Sequence, residues 1–133
     1  MSTNQLVIVL ILAALVLLVL RALLFGGPRV SAADAQARLK AGTAVLVDVR
    51  EPGEWQDGVA VGASLLPMSD FRGERTQWTG FLRNNKDKEI ILYCASGMRS
   101  GVIANALKKE GYTTANLGGF GAWARAGLPV RQP

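Results

Sequence analysis

The sequence holds no histidine and a single cysteine in 133 residues. Without histidine there is no Cys–His or Ser–His catalytic pair, and one thiol alone cannot supply the soft ligand set of an ordinary zinc site. The lone Cys94 also excludes an internal disulfide, so cysteine pairing says nothing about redox compartment. Aromatic residues are few: three Trp, two Tyr and four Phe. The formal charge is +5, yet the fifteen Lys and Arg are scattered, with no run such as KKRK. A weak preference for anions follows, but not the clustered basic surface with interleaved aromatics that binds nucleic acid. No metal and no cofactor is expected. Chemistry has to come from one thiol, from carboxylates or from hydroxyls.

What is abundant is unevenly placed. Nineteen of the twenty residues from Leu6 to Phe25 are apolar, the exception being Arg21. Twenty helical residues at about 1.5 Å each reach about 30 Å, the thickness of a bilayer's hydrocarbon core. The expected layout is a short tail over residues 1–5, a transmembrane helix over 6–25, a linker over 26–29 opened by Gly26-Gly27-Pro28, and a globular domain over 30–131. A domain of about 100 residues buries a core without disulfides or metal. Arg21 can send its guanidinium to the interface while its stem stays in lipid. A cleaved signal peptide is the rival reading, with Val30-Ser31-Ala32 as the small-residue cleavage site. Against it, MSTNQ carries no basic residue and the apolar run is at the upper limit for such a signal. Arg21, after the uninterrupted apolar run Leu6–Leu20, and then Arg29, Arg38 and Lys40 favour a single pass in the inner (cytoplasmic) membrane with the domain in the cytoplasm. The cleaved alternative places the domain in the periplasm or outside the cell.

The rest of the chain alternates helix and strand signals. Ser31 and Asp34 resemble a capping box before a helix over Ala32–Lys40 that Gly42 ends. Ala44–Val49 is short, β-branched and nearly all apolar, as in a strand buried on both faces. Leu65-Leu66 suggests a short strand before Pro67, and Ser69–Asn85 one or two helices. Glu89–Tyr93 is a second buried strand. It runs into Cys94-Ala95-Ser96-Gly97-Met98-Arg99-Ser100 and then a helix ended by Gly111. Thr113–Leu117 reads as a third strand, and Gly118–Ala126 as a last short helix. Such alternation indicates an α/β domain with a mostly parallel sheet.

Ligands of open parallel sheets gather at the carboxyl ends of strands, beside helix N-termini. Cys94 stands at that position. A lone cysteine is by itself more often a small buried hydrophobe than a nucleophile. Here, however, the loop behind it can aim several backbone N–H groups inward, and Gly97 permits positive φ. The helix dipole and Arg99 favour negative charge, so the thiol should lose its proton below the ordinary value of about 8.5. Asp48 and Glu51 flank Arg50 at the end of the first strand, as a buried scaffold or as a catalytic pair.

Four segments together resemble a single-domain rhodanese, a sulfurtransferase family. They are Val47-Asp48-Val49-Arg50-Glu51 with Glu54-Trp55; Gly62-Ala63 with Leu66-Pro67; the C-x-x-G-x-R loop at Cys94–Arg99; and Leu117-Gly118-Gly119-Phe120-Gly121-Ala122-Trp123 with Ala126-Gly127-Leu128-Pro129-Val130. The resemblance implies a central, mostly parallel five-stranded sheet flanked by helices. It implies a ping-pong transfer in which Cys94 takes the outer sulfur of a donor such as thiosulfate as a persulfide, then yields it to a thiol or to cyanide. Ala95, Ser96, Gly97, Met98, Arg99 and Ser100 would cradle the persulfide, with Arg99 on the anionic donor. Asp48, Arg50 and Trp123 would support the loop. Thiol phosphatases of similar build place Arg six positions after Cys, whereas Arg99 is five after Cys94. One departure is Gly58-Val59-Ala60, where many relatives have Gly-His-Ile. The resemblance implies a small anionic sulfur donor and a thiol acceptor as partners; the apolar segment over residues 6–25 adds a membrane, no nucleic acid is expected, and the sequence does not identify a protein partner. A non-enzymatic docking or sensing domain at the membrane is the alternative.

Overall fold

The computed structural model describes residues 1–25 and 28–133. Helix α1 covers Thr3–Phe25. It opens with a reciprocal cap in which the Gln5 N–H donates to Ser2 Oγ and the Ser2 N–H donates to Gln5 Oε1. Every side chain from Leu6 to Arg21 along it is exposed. By length and composition this is a helix able to cross a membrane; a signal sequence passes the same test. Gly26 and Gly27, expected to break it, lie outside the described residues.

Helix α2 (Ala32–Lys40) starts where Ser31 Oγ accepts the Asp34 N–H at 3.1 Å. Strand β1 (Ala44–Asp48) follows, then a 3-10 turn (Pro52–Asp57) and the short strands β2 (Val59–Ala60) and β3 (Ala63–Leu65). Helices α3 (Met68–Arg72) and α4 (Thr76–Asn84) lead to β4 (Glu89–Cys94). Then come α5 (Met98–Lys109), β5 (Thr114–Gly119), α6 (Phe120–Arg125) and β6 (Val130–Arg131).

The main sheet runs β3-β1-β4-β5 and all its pairings are parallel. Its central strands are apolar on both faces because both are covered by helices. On one face Val47, Val49, Ile90, Leu92 and Cys94 pack with Phe71, Trp78, Leu82, Ile103 and Leu107 of α3, α4 and α5. On the other, Leu46, Ile91, Tyr93, Ala115 and Leu117 pack with Ala35 of α2 and Trp123 of α6. The alternation places Tyr93 and Cys94, neighbours in sequence, on opposite faces. Five strands were expected, and among the described residues the main sheet has four. The fifth position, beyond β5, is a single parallel bridge between Arg29 and Asn116, because helix α2 begins too soon after it for a longer strand. A separate antiparallel pair, β2 with β6, closes the end of the α6 face.

Candidate active site

Cys94 is the last residue of β4 and is fully buried. The three residues after it bend so that the Gly97 N–H donates to Sγ at 3.0 Å, and the Ser100 hydroxyl lies 3.4 Å from the same sulfur. Gly97 has φ of 95°, a left-handed conformation that a side chain would strain, and a Cβ there would stand 3.0 Å from the Gly118 Cα. Gly119 is equally committed: a Cβ on it would meet the Ala95 carbonyl oxygen at 2.5 Å. Helix α5 begins at Met98, directly behind the loop, so its N-terminal end faces the sulfur. Burial pushes the thiol up. Hydrogen bonds from the Ser100 hydroxyl and from the amides of Ser100, Ser96 and Gly97 outweigh it, and the net direction is down from the ordinary value. Such a sulfur can hold negative charge and act as a nucleophile.

Arg99 does not point into this cradle as an unpaired cation. It makes a two-pronged ion pair with Glu54, both N···O distances 2.7 Å, and each side chain is about a third exposed. Glu54 is held down to about 2, first by this bond, and Arg99 is held above its ordinary value by the same contact. Glu54 Oε2 also accepts the Glu51 N–H, which sets the 3-10 turn. Behind that turn lies a buried pair. Arg50 donates from Nε and Nη2 to Asp48, and its remaining N–H groups reach the carbonyls of Glu54 at 3.1 Å and Gly58 at 2.7 Å. The guanidinium lies over the Phe120 ring, 4.5 Å from its centre.

The expected site residues therefore fall into three groups. Cys94, Gly97 and Ser100 are brought together around the sulfur, and Ala95, Ser96 and Met98 form the exposed outer surface of the loop. Asp48 and Arg50 brace the 51–58 turn and also meet Tyr93, the residue before Cys94: Asp48 pairs with it in the sheet and the Arg50 guanidinium lies 5.7 Å from its ring centre. Trp123 is not beside the loop. It is buried on the opposite face of the sheet and donates its indole N–H to the Pro129 carbonyl. The reason is register: β5 ends in two glycines, and α6 turns away towards the Tyr93 face.

Two residues without an expected role are in the site. Glu54 belongs to a recognised motif but its partner is 45 positions away, which no local pattern shows. Asn116, in β5, donates its side-chain amide to the Gly97 carbonyl and accepts the Ser100 hydroxyl. Its signal was a carboxamide inside an otherwise apolar strand, since such a group must find partners when buried.

Comparison with known proteins bears on the chemistry. The sequence model of the family described as "Rhodanese-like domain" matches residues 31–126. Uncharacterized protein YqhL of Bacillus subtilis is 40% identical over 82 residues, covering 60% of each chain. A sulfurtransferase of Allochromatium vinosum is 37% identical over 91 residues, covering 67% of this chain and 79% of the relative. The crystal structure of a rhodanese-related protein from Thermoplasma volcanium superposes with a TM-score of 0.67 at 28% identity, covering 80% of this chain and 99% of that one.

Proposed function

Since the chain belongs to the rhodanese-like family, we propose that it is a sulfurtransferase carrying sulfane sulfur on Cys94 and held at a membrane by α1. The observation that carries this reading is the hydrogen-bonded, buried sulfur at the C-terminal end of β4, met by the Gly97 amide and the Ser100 hydroxyl. Donors fixed where charge develops need no reorganisation during reaction.

In the first half-reaction the Cys94 thiolate attacks the outer sulfur of thiosulfate. The new bond is Sγ–S, the donor's S–S bond breaks, and sulfite leaves with the electron pair. The persulfide carries the negative charge that the thiolate held, so the same donors serve both states. In the second half-reaction an acceptor thiolate, or cyanide, attacks the terminal sulfur and the Cys94 thiolate is restored. Arg99 meets the donor's anionic end only by sharing its guanidinium with Glu54.

The retained anchor is supported by what surrounds the alternative cleavage site. Val30 is buried and donates its N–H to the Asn116 carbonyl, and Ser31 caps α2. Cleavage at Val30-Ser31-Ala32 would remove both. With Arg21 towards the C-terminal end of the helix and Arg29, Arg38 and Lys40 after it, we place the domain on the cytoplasmic side of the inner membrane.

Activity is tested by thiocyanate formation from thiosulfate and cyanide with the full chain in detergent. Cys94→Ser should abolish it. Turnover that survives in this variant would dismiss the persulfide route. Hydrolysis of an aryl phosphate dependent on Cys94 would favour a phosphatase instead. The membrane claim is tested by alkaline extraction of the membrane fraction, followed by protease treatment of spheroplasts; digestion of the domain from outside would reverse the orientation.

A further inference from the structure

The loop that holds Cys94 is itself held from outside, by one side chain of β5. Asn116 is 1% exposed. Its Nδ2 donates to the Gly97 carbonyl at 2.9 Å, and its Oδ1 accepts the Ser100 hydroxyl at 2.8 Å and the Gly118 N–H at 3.0 Å. Its backbone joins the segment that follows α1: the Asn116 N–H donates to the Pro28 carbonyl at 2.7 Å, and the Val30 N–H donates to the Asn116 carbonyl at 3.1 Å. Resting on the sulfurtransferase reading, we propose that Asn116 is a positioning residue that sets the reactivity of Cys94 by pinning Gly97 and holding the Ser100 hydroxyl beside the sulfur.

Proton counting shows how. The Ser100 hydroxyl has one proton and two acceptors in reach, Asn116 Oδ1 at 2.8 Å and Cys94 Sγ at 3.4 Å. While the thiol is neutral the proton lies on the Asn116 side. When the sulfur is charged, as thiolate or persulfide, the hydroxyl turns its proton to it. The Gly118 N–H stays on Oδ1, so the buried carboxamide keeps a donor and the turn leaves no unmet group. The charge is thus answered by a donor already within reach.

The nitrogen end of the amide does a second job. The Gly97 carbonyl accepts both Asn116 Nδ2 and the first helical bond, from the Gly101 N–H at 3.0 Å. Two donors on one oxygen fix the residue whose own N–H contacts Sγ. The charged groups facing the loop are Arg99 of α5, the carboxylates of Glu54 and Glu51 on the 3-10 turn, and the guanidinium of Arg29, which lies over Gly97 and Gly118.

The experiment is the pH dependence of Cys94 alkylation by iodoacetamide, a neutral reagent, on the full chain in detergent micelles. Asn116→Ala releases Gly97 and Ser100, the donors to the sulfur, and should raise the midpoint by about one pH unit as their hydrogen bonds to the charged sulfur weaken. Asn116→Asp keeps the shape, loses the donor to Gly97 and adds a carboxylate beside Ser100, and should raise it further. Ser100→Ala should raise it too, and Asn116→Ala on that background should add less than it does alone. A wild-type midpoint in either Asn116 variant, with thermal unfolding showing a folded chain, overturns the proposal. Persulfide formation from thiosulfate is read in the same wild-type sample. Its failure would count against the sulfurtransferase reading alone, since the alkylation midpoint needs no sulfur transfer.

Discussion

Arg99 and Glu54 meet in a two-pronged ion pair, both contacts at 2.7 Å, at the end of the loop that carries Cys94. The Arg99 cation is therefore partly neutralised before any donor arrives. Removing the carboxylate should strengthen the field felt by an anion. Glu54→Gln is expected to lower KM for thiosulfate by about two- to fivefold, the scale of a pair about a third exposed. Arg99→Ala should raise it. Steady-state kinetics at low salt checks both, and a raised KM in Glu54→Gln would show that the pair orients Arg99 rather than competing with the donor.

Acid should open that pair. Glu54 has its folded-state pKa lowered to about 2, so its stabilising contribution is present above the ordinary carboxyl range and is lost as pH falls towards 2. Solvent screening at a side chain about a third exposed limits the effect to about 1 kcal/mol or less. Denaturant unfolding between pH 5 and pH 2 should lose less stability, by about that amount, in Glu54→Gln than in the wild type.

The buried Asp48–Arg50 pair is expected to matter far more to the fold. Arg50→Met leaves the Asp48 carboxylate buried without its cation and frees the carbonyls of Glu54 and Gly58. Breaking one side of such a pair costs about 3–5 kcal/mol. A chemical unfolding curve should show that loss.

Truncation separates the anchor from the signal-peptide reading. A chain beginning at Pro28 keeps the bridge to Asn116 and the Ser31 cap, and should unfold as the full chain does. A chain beginning at Ala33 loses both, and should be less stable by about 1–3 kcal/mol. Equal stability would remove the structural objection to cleavage.

The α/β class, the strand of Cys94 and the loop were legible because each has a local signature. Ile90, Ile91 and Leu92 are apolar on both faces, Gly97 must take a left-handed turn, and Ser31 announces α2. What was not legible lies in contacts between distant segments. Nothing near Arg99 names Glu54 as its partner, and nothing near Cys94 names Asn116. The resemblance implies Trp123 as a support of the loop, yet helix α6, which carries it, packs on the Tyr93 side of the sheet, away from Cys94. The fifth strand shrank to one bridge because Ser31 starts a helix two residues after Arg29.

The most direct measurement is the intact mass of the full chain after thiosulfate, before and after cyanide, with Cys94→Ser alongside. A gain of one sulfur atom that cyanide removes, absent from Cys94→Ser, is the predicted result. An unchanged mass in the wild type, or the same gain in Cys94→Ser, would contradict a persulfide carried on Cys94.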